Sequence, residues 1–141
     1  LAESAELRIE NGIYVDEQAR TSDPDIFAAG DCTSHPSDFY QRRVRLESVQ
    51  NANDQSRVAA ANICGGSDVY HVTPWFWSDQ YDVKLQSVGL CHGHDEVQTD
   101  GSPETAVEEG MVVRYFREGK LIAADCINRA RDFMAIKKEM V

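Results

Sequence analysis

The sequence predicts an α+β protein in two parts, a strand–turn–helix segment followed by an antiparallel sheet with a closing helix. Three observations carry that prediction. Leu46 to Cys64 places Val49, Ala52, Ala59 and Ile63 at helical spacing, with Asp54, Gln55 and Arg57 elsewhere, and Gly65–Gly66 supplies a stop. Met111–Phe116 and Leu121–Ile127 are strand-like runs joined by Arg117–Glu118–Gly119–Lys120, a hairpin loop containing Gly. Asp132 to Val141 reads as an amphipathic helix with Asp132 as its N-cap. The composition shift at Gly65–Gly66–Ser67–Asp68 divides the chain into residues 1–66 and 69–141.

Taken in order, Gly12–Asp16 is a short strand opened by the Asn11–Gly12 turn pair. Thr21–Asp25 is turn chemistry, because Pro24 fixes its own φ and pushes Asp23 out of the helical region. Ile26–Ala29 is a short buried-looking strand, and Gly30–Asp31 opens a polar loop that ends near Arg45. Glu47 and Ser48 stand at the helix start, where acceptors are favoured. In the second part, Pro74–Tyr81 reads as a strand with Trp75 and Trp77 on one side. Val83 to Leu90 follows as a strand partly covered on both faces.

The chain has 141 residues, 42% of them hydrophobic and 27% charged, enough for a core and ordinary in charge. Its 24 acidic and 14 basic side chains leave a net charge of −10, which opposes general binding to nucleic acid or to an anionic membrane. No apolar run approaches the roughly 18 residues of a spanning helix. The four cysteines, Cys32, Cys64, Cys91 and Cys126, form no CxxC pair and read as free thiols of a reducing cytosol, so a cytoplasmic location is expected. Cys91–His92–Gly93–His94 resembles a metal cluster, but no second ligand pair follows, and no metal is expected.

Several segments could carry chemistry. In Thr21–Asp31 an apolar strand ends in two alanines and Gly30, which lets backbone approach a ligand, and Asp31 can accept hydrogen bonds from a hydroxyl chain. A plain Gly–Asp surface turn is the bland alternative. The helix start after Arg45–Leu46–Glu47–Ser48–Val49 offers unpaired N–H groups and partial positive charge, suited to a ligand edge where negative charge develops; an ordinary capped helix is the alternative. Trp75 and Trp77 could pack in a core or wall an aromatic ligand. Arg42–Arg43–Val44–Arg45 is a basic cluster in an acidic chain, or a solvated loop.

The pattern T-S-D-P-D-I-F-A-A-G-D resembles the T-x6-A-x-G-D flavin fingerprint of pyridine-nucleotide oxidoreductases. With G-I-Y-V-D before it, R-L-E-S-V-Q-N-A and P-W-F-W-S-D-Q-Y after it, and a hairpin leading to Asn128–Arg129, the chain from Gly12 onward resembles the FAD-dependent NAD(P)H:ferredoxin reductase family. This is the putidaredoxin-reductase and rubredoxin-reductase type that serves Rieske oxygenases and P450s. The resemblance implies that residues 1–66 are the last strand–turn–helix segment of a Rossmann-like FAD domain, and residues 69–141 a C-terminal reductase domain facing the ferredoxin.

It implies roles residue by residue. Gly30 and Asp31 would hold the FAD ribityl chain, and Ser48 and Val49 would present the helix start to the flavin pyrimidine. Glu47 would lie near the nicotinamide, and Trp77 would sit by the flavin and lead toward the partner. Arg42, Arg43, Arg57 and Lys84 would face an acidic [2Fe–2S] ferredoxin, although Gln86 stands where one relative is basic. The implied reaction passes electrons from NAD(P)H through FAD to that ferredoxin.

The sequence contains no GxGxxG, so the phosphate-binding parts of the FAD and NAD domains are expected upstream of Leu1 and the chain reads as a fragment, inactive alone. About sixty residues of a Rossmann sheet bury little core, so the segment before Asp68 is expected to be poorly ordered or to pack against other chain. Two alternatives stand beside this reading. One is a related flavoenzyme that reduces rubredoxin or serves nitrite reduction; the other is a non-catalytic docking or dimerisation module.

Overall fold

A computed structural model describes residues 1–140. The chain forms two compact units, Leu1–Val72 and a second that begins at Thr73. The division falls later than the Gly65–Asp68 boundary read from composition. Asn62 explains the shift: its Nδ2 donates to Gln18 O and Asp68 O, and its Oδ1 accepts from Asp68 N–H. Tyr70 continues the tie, with its N–H on Glu17 O and its hydroxyl on Asn51 Oδ1.

In the first unit β1 (Ile13–Tyr14) runs parallel to β2 (Thr33–Ser37), and β2 is antiparallel to β3 (Arg42–Val44). A Cβ on Gly12, at φ +122, would meet Cys32 O at 2.9 Å, so only glycine allows β1 to start this close to β2. The segment from Asp31 to Arg45, expected to be loop, therefore holds two strands. Its pattern is polar, and Pro36 sits within β2, so neither alternation nor propensity flags it.

Ile26–Ala29 corrects the reading the other way. It makes one isolated bridge, Arg20 with Phe27, flanked by Thr21 N–H to Ile26 O and Ala28 N–H to Ala19 O. A hooked turn closes the bridge, with Thr21 Oγ1 donating to Asp23 O and accepting from Asp23 N–H.

Helix α1 spans Val49–Ile63, three residues shorter at its start than the periodicity suggests. Ser48 is its N-cap, extended at φ −153 and ψ 149, and its hydroxyl accepts from Asn51 N–H at 3.1 Å. Helical spacing located α1 and placed Ala59 inside, but its inner face is rotated from the expected one. Val49 and Ile63 are exposed at 57% and 65%, while Gln50, Asn51, Gln55 and Asn62 are buried beside Ala59. The helix meets irregular backbone rather than an apolar sheet, and carboxamides satisfy the donors and acceptors found there.

The second unit is a five-stranded antiparallel sheet in the order β4–β5–β8–β7–β6, built from Trp75–Gln80, Val83–Gly89, Lys120–Ile127, Met111–Arg117 and Glu96–Asp100. Helix α2 (Ala130–Glu139) lies against β5 and β8 and buries Phe133 and Ile136, on the sheet that contributes Val88, Val112, Ile122, Ala124 and Cys126. Its cap is Arg129 rather than Asp132, which sits in the first turn and binds Arg129 Nε at 2.7 Å. The hairpin loop is tighter than expected. Arg117 and Lys120 pair in the ladder, and Glu118 (φ 51) with Gly119 (φ 73) makes a two-residue turn with both centres left-handed. Strand β6 has no counterpart in the sequence reading; all five of its residues are exposed, so no buried face imprints an alternation.

Candidate functional site

In the first unit the Ala28–Ala29–Gly30–Asp31 corner is bound to helix α1. Gly30 is buried, has φ +84, and lies so near Ala52 that an added Cβ would be 3.5 Å from Ala52 Cβ. Its N–H donates to Gln55 Oε1 at 2.8 Å. Thr33 Oγ1 lies 2.8 Å from the same oxygen and 2.9 Å from Gly30 O, two acceptors between which its single proton is shared, in a buried polar cluster at the corner. Asp31, the next residue, is exposed. The arrangement leaves a carboxylate in solvent beside the opening turns of a capped helix.

That helix start keeps donors available. Ser48 Oγ takes the Asn51 N–H and Ser48 O takes the Ala52 N–H, so the first-turn Val49 N–H remains outside the internal ladder. Glu47 is exposed and paired with Arg45. A carboxylate acceptor and a helix N-terminus on one small unit suit a ligand carrying both hydroxyls and an electron-rich ring edge.

The basic residues divide. Arg42 is exposed, and Arg57 is 81% exposed with a 3.3 Å ion pair to Asp54. Arg43 turns inward: it donates to Val15 O, to Ser34 O and to Ser34 Oγ, and its guanidinium lies 3.5 Å above the Tyr14 ring. Its role visible here is to tie β1, β2 and β3 together. Behind it His35 is buried edge-on against Tyr70, ring centroids 5.0 Å apart. Burial, helped by the Arg43 charge, lowers its pKa to about 4. Burial likewise raises Tyr70 to about 12. Neutral His35 and neutral Tyr70 are thus part of the packing across the neutral range.

In the second unit Trp75 and Trp77 share one side of β4 and stack, centroids 5.4 Å apart at 28°. Trp75 leans on Phe133 at 6.0 Å, and Lys137 Nζ sits 3.8 Å over the Trp75 ring. Trp77 keeps 40% of its surface exposed, so Trp75 anchors the pair and Trp77 presents it. Lys84 is exposed on β5. Among the described residues no three His, Cys, Asp or Glu converge as metal ligands. His94 Nδ1 instead lies 2.8 Å from Cys91 O, and the ring packs on Tyr115. All four cysteines are free.

Comparison with known proteins matches two stretches of the chain. Residues 1–56 match the pyridine nucleotide-disulphide oxidoreductase family, and residues 75–140 match the reductase C-terminal family. Over nearly the whole of its length the chain is similar to ferredoxin reductases. The ferredoxin reductase subunit of 5,5'-dehydrodivanillate O-demethylase from Sphingobium sp. is 50% identical over 88% of this chain and 30% of its own length. Putidaredoxin reductase from Pseudomonas putida is 41% identical over 98% of this chain and 32% of its own. The crystal structure of the covalent putidaredoxin reductase–putidaredoxin complex superposes with a TM-score of 0.88, again at 41% identity, covering 98% of this chain and 32% of that one. The chain therefore spans about a third of the length of the relatives it matches.

The family's cofactors are FAD and NAD(P)H. The residues present fit part of the first, because the exposed Asp31 carboxylate and the Val49 N–H are groups that a ribityl chain and a pyrimidine edge would engage. Sequence reasoning missed what holds this corner in place. Gln55, Thr33, Asn51 and Asn62 are polar residues at buried positions, and a search for apolar periodicity passes over them.

Proposed function

We propose that this chain supplies the flavin floor and the partner-facing domain of a reductase that passes electrons from NAD(P)H through FAD to a [2Fe–2S] ferredoxin feeding an oxygenase or P450. The observation that carries the proposal is the Gly30 N–H bond to Gln55, which locks the Asp31 corner to the helix that begins at Ser48. Names of relatives support it: one is a ferredoxin–NAD(P)(+) reductase from Sphingomonas sp., 46% identical over 95% of this chain.

In this reading Asp31 accepts hydrogen bonds from the ribityl hydroxyls, with Gly30 giving the backbone clearance. Ser48 caps α1 so that the Val49 N–H points outward as a donor to the pyrimidine edge, where negative charge grows. Glu47 contacts the nicotinamide end, and Trp77 of the second unit offers an exposed aromatic surface for electron transfer to the partner. The flavin supplies the redox chemistry itself, accepting an electron pair and releasing single electrons. The chain's own residues orient it and keep its pyrimidine side favourable to charge. Arg42 and Arg57 on the first unit and Lys84 on the second supply docking charge, while Arg43 ties β1, β2 and β3 together.

The GxGxxG motifs needed for both dinucleotide phosphates are absent from this chain, so alone it has no turnover. Free cysteines support a reducing, cytoplasmic setting. No helix among the described residues is long and apolar enough to cross a membrane. Rubredoxin is the alternative acceptor, since a rubredoxin–NAD(+) reductase of Pseudomonas putida is 38% identical over 91% of this chain.

The test is NADH-driven reduction of a purified acidic ferredoxin, and of rubredoxin, by the full-length protein that carries this chain. The expected result is faster ferredoxin reduction that slows with salt and slows again in Arg57→Glu. Preference for rubredoxin, or indifference to both salt and Arg57, would remove the ferredoxin assignment.

A further inference from the structure

Helix α1 carries a buried carboxamide that neither the apolar pattern nor the proposed flavin contacts account for. Gln55 is fully buried, with 0% of its surface exposed. Its orientation is unambiguous chemically, because the Gly30 N–H is only a donor and must face Oε1. The same oxygen lies within hydrogen-bond distance of Thr33 Oγ1, so it gathers both ends of the Gly30–Thr33 loop. Nε2 has no hydrogen-bond partner among the described residues. A glutamine kept here at the cost of an unsatisfied amide is tolerated for what its oxygen does. Leucine or methionine would fill the volume without that penalty, yet neither could accept the Gly30 N–H.

Gly30 is the residue whose left-handed backbone sends the chain from the apolar bridge segment into Asp31. A φ of +84 has little intrinsic preference to hold it in a glycine, so the bond to Gln55 selects it. The other carboxamides of α1 act elsewhere. Asn51 holds Leu46 O and Tyr70, and Asn62 holds Gln18 and Asp68.

We propose that Gln55 is the positioning residue of the flavin site: its carboxamide oxygen clamps Gly30 and Thr33 to α1 and thereby aims the Asp31 carboxylate at the ribityl chain. The inference rests on the flavin reading of that corner. Gln55 does not touch the cofactor. It sets the direction of a residue that does, so its loss weakens cofactor binding in a protein that still folds.

The experiment uses the full-length flavoprotein, stripped of cofactor and titrated with FAD, with binding followed by quenching of flavin fluorescence and by the visible flavin spectrum. Gln55→Met removes the acceptor and keeps the bulk. Gln55→Glu keeps an acceptor oxygen for Gly30. Asn62→Ala removes a comparable buried carboxamide on the same helix, away from the corner. The expected result is an FAD dissociation constant raised about tenfold or more in Gln55→Met, with an altered flavin spectrum, and recovered in Gln55→Glu. Asn62→Ala lowers the melting temperature while the folded protein keeps its FAD affinity. Equal FAD affinity in Gln55→Met and the parent would overturn the positioning role and leave the flavin reading standing. An equal loss in Asn62→Ala would reduce Gln55 to general support of the helix and overturn the role as well. Failure of the parent itself to take up FAD would sink the flavin reading, and this inference with it.

Discussion

Helices α1 and α2 sit in the two units of the chain and bury opposite chemistries. Helix α2 presses Phe133 and Ile136 onto a sheet whose inner side is Val88, Val112, Ile122, Ala124 and Cys126. Helix α1 buries Gln50, Asn51, Gln55 and Asn62, while Val49 and Ile63 face outward. The difference follows from what each helix covers. A sheet has already paired its own backbone, so apolar side chains suffice against it. The loops under α1 present open N–H and C=O groups, from Gly30 to Gln18, Leu46 and Asp68, and each needs a partner. Apolar contact is non-directional, whereas a carboxamide fixes distance and angle. Helix α2 is thus held by apolar contact, and α1 by bonds that fix a few backbone atoms in set places.

The comparison breaks most readily at Phe133. Phe133→Ala should destabilise the second unit by about 3 to 5 kcal/mol, because a fully buried ring leaves a cavity. Both tryptophans lie in that unit, so their fluorescence during denaturant unfolding reads the loss directly. An equally large effect on hydrogen exchange in β2 would contradict the separation of the two cores.

A smaller effect is expected from pH, and in the first unit. His35 has its folded pKa lowered to about 4 from 6.5. Between those values the unfolded chain binds a proton that the folded chain refuses, so stability rises with pH. His35 therefore supports the fold fully above about pH 6.5, and that support drains away toward pH 4, a swing on the order of 3 kcal/mol at most. Melting of the first unit, followed by tyrosine near-ultraviolet dichroism, should show a step in that window that His35→Gln removes. A step that survives in the variant assigns it to the carboxylates instead.

The smallest expected change is at the cap. Ser48→Ala should cost about 1 kcal/mol and speed exchange of the Asn51 amide, with β7 and β8 unchanged. No change at Asn51 would mean that Ser48 is not needed to order the helix start.

Much of the second unit was legible because its helix and central strands each have one buried side. The β7–β8 hairpin, the shared side of Trp75 and Trp77 and the closing helix all follow from that. Strand β6 escaped because both its faces are exposed, and β2 because a polar run with Pro36 lacks any strand signature. At the candidate site, the Gly30–Asp31 corner and the Ser48 cap could be read from residue type, since glycine and serine have positional chemistry of their own. Gln55 and the inward turn of Arg43 could not. Their partners are backbone atoms 25 and 28 residues away, and sequence spacing does not encode which carbonyl or amide lies opposite. The rotated inner face of α1, which keeps Ala59 but not Val49 or Ile63, has the same origin: periodicity marks where apolar residues cluster, not which side of the helix meets protein.

The central claim is that the corner at Asp31 holds a flavin. An equilibrium titration of FAD into the cofactor-stripped full-length protein, compared with Asp31→Ala, tests it most directly. The account predicts a yellow complex in the parent and an affinity lower by about ten- to a hundredfold in the variant, with the melting of the second unit unchanged. Equal affinity in the two proteins would contradict it.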